Sequence, residues 1–140
     1  MNYKHILVMI NLSSDSYLLI NKASSFANLC DIKISIIYIN TNCSHVYTGL
    51  IDVDIRNMQP FGMENINKML KNLIGYIYFP IYKVLIGHGD VVQCLSNAIK
   101  KYNIDLIIFG HYQDFWSKMA FSIRSIINSL HIDMLIVPFY

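Results

Sequence analysis

The chain has 140 residues, 54% of them hydrophobic and 14% charged, and a formal net charge of +2 with histidine neutral. A chain of this length makes one domain around one core, burying roughly two-thirds of its unfolded surface. No basic run exceeds the pair Lys100-Lys101, so there is no electrostatic footprint for nucleic acid. Ordinary soluble domains are about one-quarter charged, and the shortfall here has two open readings. Either apolar surface is covered in an oligomer, or the composition drifts toward Ile, Asn, Lys and Tyr without functional meaning.

Targeting and metal chemistry find little support. Lys4 and His5 precede an apolar run, Ile6 to Ile10, that is too short for a signal peptide. The longest uncharged apolar stretch, Leu73 to Tyr82, is interrupted by Gly75 and Pro80 and falls short of the roughly 20 residues a membrane span requires. A soluble, intracellular protein is expected, without a membrane partner. Cys30, Cys43 and Cys94 are odd in number and widely separated, which fits neither a zinc site nor a disulfide framework. Cys30 continues the apolar face of the first expected helix and reads as a small buried hydrophobe.

In chain order, Lys4 to Ile10 reads as the first strand, its run from Ile6 onward continuously apolar, as a strand covered on both faces should be. Ser13, Ser14 and Asp15 offer N-cap oxygens for a helix whose stripe is Leu19, Ala23, Phe26, Ala27 and Cys30. Lys33 to Ile39 is dense in β-branched residues and reads as the second strand. Thr41 to Pro60 shows no period; a structureless loop that long is unusual, so short helical turns are expected within it. Met63, Ile66, Leu70, Leu73 and Ile77 mark a second helix, with Gly75 as a candidate C-cap and Pro80 beyond it.

The third strand is expected at Ile81 to Ile86, followed by the turn Gly87-His-Gly-Asp90, where Asp90 is placed to cap the next helix. That helix carries Val92, Leu95, Ile99 and Tyr102 on one side. Ile104 to Phe109 reads as strand four, with Gly110 as the point where the backbone turns closely past a ligand or another segment. The last helix, Lys118 to Leu130, aligns Met119, Ile123, Ile126, Ile127 and Leu130, and strand five, Asp133 to Val137, is expected to stop at Pro138. Five strands alternating with four helices imply an α/β fold, an open parallel sheet with helices on both faces, in a single domain over residues 1–140.

Several segments resemble the universal stress protein family: Tyr3-Lys-His-Ile-Leu7, Tyr47 to Val53, Ala98 to Tyr102, Gly110-His111 with Gln113-Asp-Phe-Trp-Ser-Lys118, and His131 to Pro138. The likeness runs essentially end to end. It implies a flavodoxin-like, Rossmann-like sandwich with strand order 3-2-1-4-5, located in the cytoplasm and made under stress or growth arrest.

Within that family, nucleotide-binding members carry Gly-x-x-Gly and, after a spacer, Gly-Ser or Gly-Thr. Small residues there let backbone amides approach phosphates. In this chain the first glycine is Gly110, but Gln113, Ile123 and Arg124 stand at the other three positions. Nucleotide-binding members also end the first strand with an acidic residue, and here that residue is Asn11. Arg124 is a good phosphate partner, yet Gln113 and Ile123 add bulk where bare backbone is needed. The resemblance therefore implies the non-ATP-binding subgroup, with no cofactor and a degenerate cleft formed by Asn11, Gly110, Gln113, Ile123 and Arg124.

Other chemistry is sparse. His88, Asp90, His111 and Asp114 follow strands three and four, where they could converge on a metal or acid-base crevice, but no familiar ligand spacing accompanies them, and two loop histidines are more often hydrogen-bonded locally. Ser13, Ser14, Ser117, Ser122 and Ser125 are candidate phosphate acceptors by resemblance and candidate caps or exposed helix positions by pattern. Phe115 and Trp116 read as anchors of a loop onto the core. A last strand at the sheet edge would offer free amides and carbonyls to a second copy, and the resemblance implies a homodimer joined through Met134, Leu135, Ile136, Val137 and Pro138. The expected function is a non-enzymatic stress protein with no catalytic residue and no resident metal. A nucleotide-binding switch or weak ATPase is the first alternative, and an enzyme using the His88 and His111 crevice the second.

Overall fold

Every residue of the first strand, His5–Ile10, is buried, and this decides the architecture. A strand that is apolar on both faces needs a neighbour on each side and helices above and below. The computed structural model describes residues 3–11, 15–27, 31–40, 49–53, 68, 71–73, 75, 79–112 and 123–139. In these the order is β1 (His5–Ile10), α1 (Ser16–Ala27), β2 (Lys33–Asn40), β3 (Gly49–Val53), β4 (Val84–His88), α2 (Val91–Tyr102), β5 (Leu106–Tyr112), α3 (Ile123–Ser129) and β6 (Asp133–Phe139).

β1 pairs in parallel with β2, His5 opposite Lys33 through Ile10 opposite Tyr38. On its other side it pairs with β5, Ile6 opposite Leu106 through Met9 opposite Phe109. β4 joins β2 and β6 joins β5, both parallel. The sheet order is β3-β4-β2-β1-β5-β6. Without β3 this is the expected five-stranded parallel order. The sixth strand, antiparallel to β4 with Gly49 opposite His88 and Val53 opposite Val84, corrects the expectation and occupies part of the stretch that showed no period. An edge strand is held by one neighbour only, so its sequence need not be apolar. Here Ile51 is exposed and Asp52 pairs with Lys83 at 3.0 Å.

Alternation along the strands divides the core in two, because successive side chains leave a strand on opposite faces. On one face Leu19, Ile20, Ala23 and Ala27 of α1 cover Ile6, Val8, Ile10, Ile34 and Ile36. On the other, Cys94, Leu95 and Ala98 of α2 and Ile126 of α3 cover Leu7, Met9, Ile37, Ile107 and Phe109. Each such aliphatic side chain contributes about 1.5–3 kcal/mol on burial.

Several element details differ from the sequence expectation. Phe26 and Ile127, expected on buried stripes, are exposed. The stripe of α1 centres on Leu19, Ile20, Ala23 and Ala27, and α3 buries Ile126 and Leu130, one turn apart. The side of α2 set against the sheet is Val91, Cys94, Leu95 and Ala98, with Val92, Ile99 and Tyr102 at its margin. Gly75, the candidate C-cap, is itself helical, and the residues that follow it through Tyr78 lie outside the described residues, as do Cys30, Met63, Ile66, Leu70, Ile77 and Met119. β6 runs through Pro138, which is opposite His111, to Phe139. Proline is tolerated there because an edge strand has one side with no ladder to complete.

Two caps and one clamp set the ends of elements. The Asp90 carboxylate accepts from the Gln93 amide at 3.0 Å and opens α2, as its position in the sequence implied. Asn103, in the left-handed region at φ 55°, closes the helix and donates its amide to the Ile99 carbonyl. Asp105 then grips β1: its carboxylate accepts from the amides of Lys4 at 2.8 Å and His5 at 3.0 Å, and its own amide donates to the His5 carbonyl at 3.1 Å.

Candidate functional site

The winding of the sheet reverses between β1 and β5. From β1 the chain passes through α1 on one face to β2, and from β5 it passes through α3 on the opposite face to β6. In open α/β sheets this switch point leaves a crevice at the carboxyl ends of the strands. Met9 opposite Phe109 is the last registered pair between the two strands, so Ile10-Asn11 and Gly110 lead into the mouth of the crevice.

Asn11 is held there by the start of α1. The wholly buried Ser16 hydroxyl lies 2.6 Å from the Asn11 carbonyl and 3.1 Å from Asn11 Oδ1. One hydroxyl proton serves both acceptors, the nearer carbonyl taking the better share. This contact ties the end of β1 to the start of α1, and no sequence pattern had singled out Ser16. Gly110 is not the expected turn. It belongs to β5 and is paired with Val137, and His111 and Tyr112 continue the strand. Ile123 and Arg124 begin α3, with only their backbone described, and Gln113 lies outside the described residues.

The second crevice does not form as expected. Gly87 and His88 are strand residues at the end of β4, and β2 and β1 stand between β4 and β5. Three strand spacings separate the backbones of His88 and His111 by about 14 Å, too far for both imidazoles to hold one ion. Asp90 is engaged as the cap of α2, and Asp114, Phe115 and Trp116 lie outside the described residues. Among the described residues, no three His, Cys, Asp or Glu side chains cluster as metal ligands. The turn itself is as expected one residue later, where Gly89 takes φ 97°.

Beside His88 the packing is tight. A Cβ on Gly87 would lie 3.0 Å from Cys94 Sγ and 3.3 Å from Ile39 Cγ1, so α2 approaches β4 over a bare backbone. The Cys94 thiol is buried and faces the His88 carbonyl at 3.4 Å. Burial, helped by the Asp90 charge, pushes the thiol up to about 11. It is a packing residue rather than a nucleophile. Of the serines considered as phosphate acceptors, Ser125 is exposed on α3 and the others lie outside the described residues.

A doubly wound α/β sheet with a crevice at its switch point defines a Rossmann-like domain. Comparison with known proteins narrows this. The sequence model of the universal stress protein family matches residues 2–138. Universal stress protein A of Buchnera aphidicola subsp. Baizongia pistaciae (strain Bp) is 70% identical over 141 residues, covering 100% of this chain and 99% of its own length. Universal stress protein A of Escherichia coli (strain K12) is 47% identical over 138 residues, covering 99% and 96%. A universal stress protein crystallised in complex with cAMP shares the fold, with a TM-score of 0.66 at 16% identity over 97% of each chain. The chain belongs to the universal stress protein family, and its near relatives carry the name of stress proteins rather than of enzymes.

Proposed function

We propose that this chain is a homodimeric, non-enzymatic stress protein of the cytoplasm, protective or regulatory in stress and growth arrest, whose crevice no longer holds ATP. The carrying observation is Asn11. A carboxylate at the end of β1 would accept ribose hydroxyls, whereas here a neutral amide stands in that place and its oxygen lies within reach of Ser16. The sequence adds Gln113, Ile123 and Arg124 where phosphate-binding relatives have small residues. The protein then acts through contacts with other proteins.

β6 supports the dimer. It is an edge of the sheet, with Met134, Leu135 and Ile136 partly exposed and Pro138 exposed, and an unprotected edge pairs readily with a second copy about a twofold axis. Among the described residues no helix is long and apolar enough to cross a membrane. The second reading, a nucleotide-controlled switch or weak ATPase, is favoured by the cAMP bound to the structural neighbour. Calorimetric titration of the purified protein with ATP and magnesium, with ADP and AMP as controls, separates the two. No heat at millimolar ATP is expected; saturable binding at micromolar affinity would establish the switch and sink the degenerate cleft.

A further inference from the structure

At the opposite end of the sheet from the crevice, His5 is a buried titratable group that no part of the functional reading uses. Its side chain is 4% exposed. Nδ1 lies 2.8 Å from the carbonyl of Tyr102, the last residue of α2, and Nε2 lies 2.7 Å from Ser35 Oγ on β2. A carbonyl only accepts, so Nδ1 carries the proton. Nε2 is then the bare acceptor, and the wholly buried Ser35 hydroxyl donates to it. One neutral ring thus joins β1, β2 and the end of α2.

A second proton has no good place. Protonated Nε2 must donate, so Ser35 Oγ would have to accept and turn its own proton elsewhere; no other partner for that hydroxyl is found among the described residues. The charged groups around the ring come from every element packed on it. From β2, the Lys33 ammonium sits 4.4 Å above the Tyr82 ring, which meets His5 edge-on at 5.4 Å. From the segment before β4, Lys83 stands 5.6 Å from the same ring and is paired with Asp52. From the end of α2, Lys101 lies 5.5 Å from the Tyr102 ring. From the turn before β5 comes the Asp105 carboxylate, already occupied by the Lys4 and His5 amides.

We propose that His5 is an acid-operated latch, which while neutral ties β1 and β2 to the last turn of α2 and when protonated lets that end of the sheet loosen. The balance of forces agrees. Burial holds the imidazole below the ordinary histidine range; the Tyr102 carbonyl opposes this, Lys33 adds to it and Asp105 opposes it. Because the folded value is depressed, the native state binds fewer protons than the unfolded chain once pH drops below about 6.5. Stability is therefore whole above that pH, declines as pH falls through it, and stops declining at the depressed folded value.

The test compares the native chain with His5→Gln, whose amide can donate to Tyr102 and accept from Ser35 without titrating. Between about pH 7.5 and about pH 5.5 the native chain should lose up to about 5 °C more in thermal midpoint than the variant. Equal losses would overturn the latch. Nitrogen NMR of the native chain reads the ring directly, whether or not the variant folds. The expected signature is an Nδ1–H tautomer that resists protonation below about pH 6.5. An Nε2–H tautomer, or titration at the ordinary value, would refute the proposal.

Discussion

Replacing Asp105 with Ala removes a carboxylate that grips two consecutive amides at the start of β1, those of Lys4 and His5. The Lys4 contact is exposed and water can take it over, whereas the His5 amide is part-buried and is left without its acceptor. Hydrogen bonds to charged groups contribute about 1.5–3 kcal/mol, and the mixed exposure here puts the net loss near 2 kcal/mol. With an unfolding entropy of about 2.1 cal/mol/K per residue, 140 residues convert that loss to a fall of about 7 °C in Tm. Asp105→Asn keeps one acceptor but turns an N–H toward the other amide, so it should recover less than half of the difference. Circular dichroism melts at neutral pH, with urea titration to check that the m-value is unchanged, measure both variants. A Tm for Asp105→Ala within about 1 °C of the native chain would refute the reasoning, since it would mean that water replaces the carboxylate without loss.

Leu135→Lys tests the dimer: the side chain is partly exposed on β6, so the lysine should shift the protein from dimer to monomer mass in sedimentation without unfolding it. An unchanged dimer would place the contact elsewhere. Val137, in contrast, belongs to the core and is 9% exposed, and a lysine there would confuse loss of dimer with loss of fold. In a protein whose Cys30 and Cys43 are changed to Ser, Cys94 should react with a disulfide reagent at about pH 8 far more slowly than an ordinary thiol of pKa about 8.5, because its own value lies at about 11. Labelling at the rate of a free cysteine would show the thiol to be open to solvent.

The alternation of strands and helices was legible because it is written in local periods. Ile6 to Ile10 is apolar throughout since both its faces are covered, and Asp90 precedes an amphipathic run as a cap should. The strand order followed from resemblance, and the alternation of folded units made it physically reasonable. Less of the site was legible. Asn11 could be placed at the end of the first strand, but its link to Ser16 depends on how the chain turns into α1, and the Ser16 hydroxyl has no periodic signature.

By itself the sequence determined the class of fold, the strands that form the centre of the core and the membership of the family, because burial patterns and rare residue strings are properties of neighbouring positions. Only the tertiary structure decided what distant segments do to one another. β3 exists because β4 offers it a ladder, Pro138 stays in a strand because that strand is an edge, and Ile127 faces outward because the adjacent Ile126 takes the buried side. His5 is the clearest case. In the sequence it is a histidine next to a lysine at the start of the first strand, and its chemistry comes from Ser35 and Tyr102, which are 30 and 97 positions away. The proton it carries is settled by a carbonyl and a hydroxyl that no local pattern brings together.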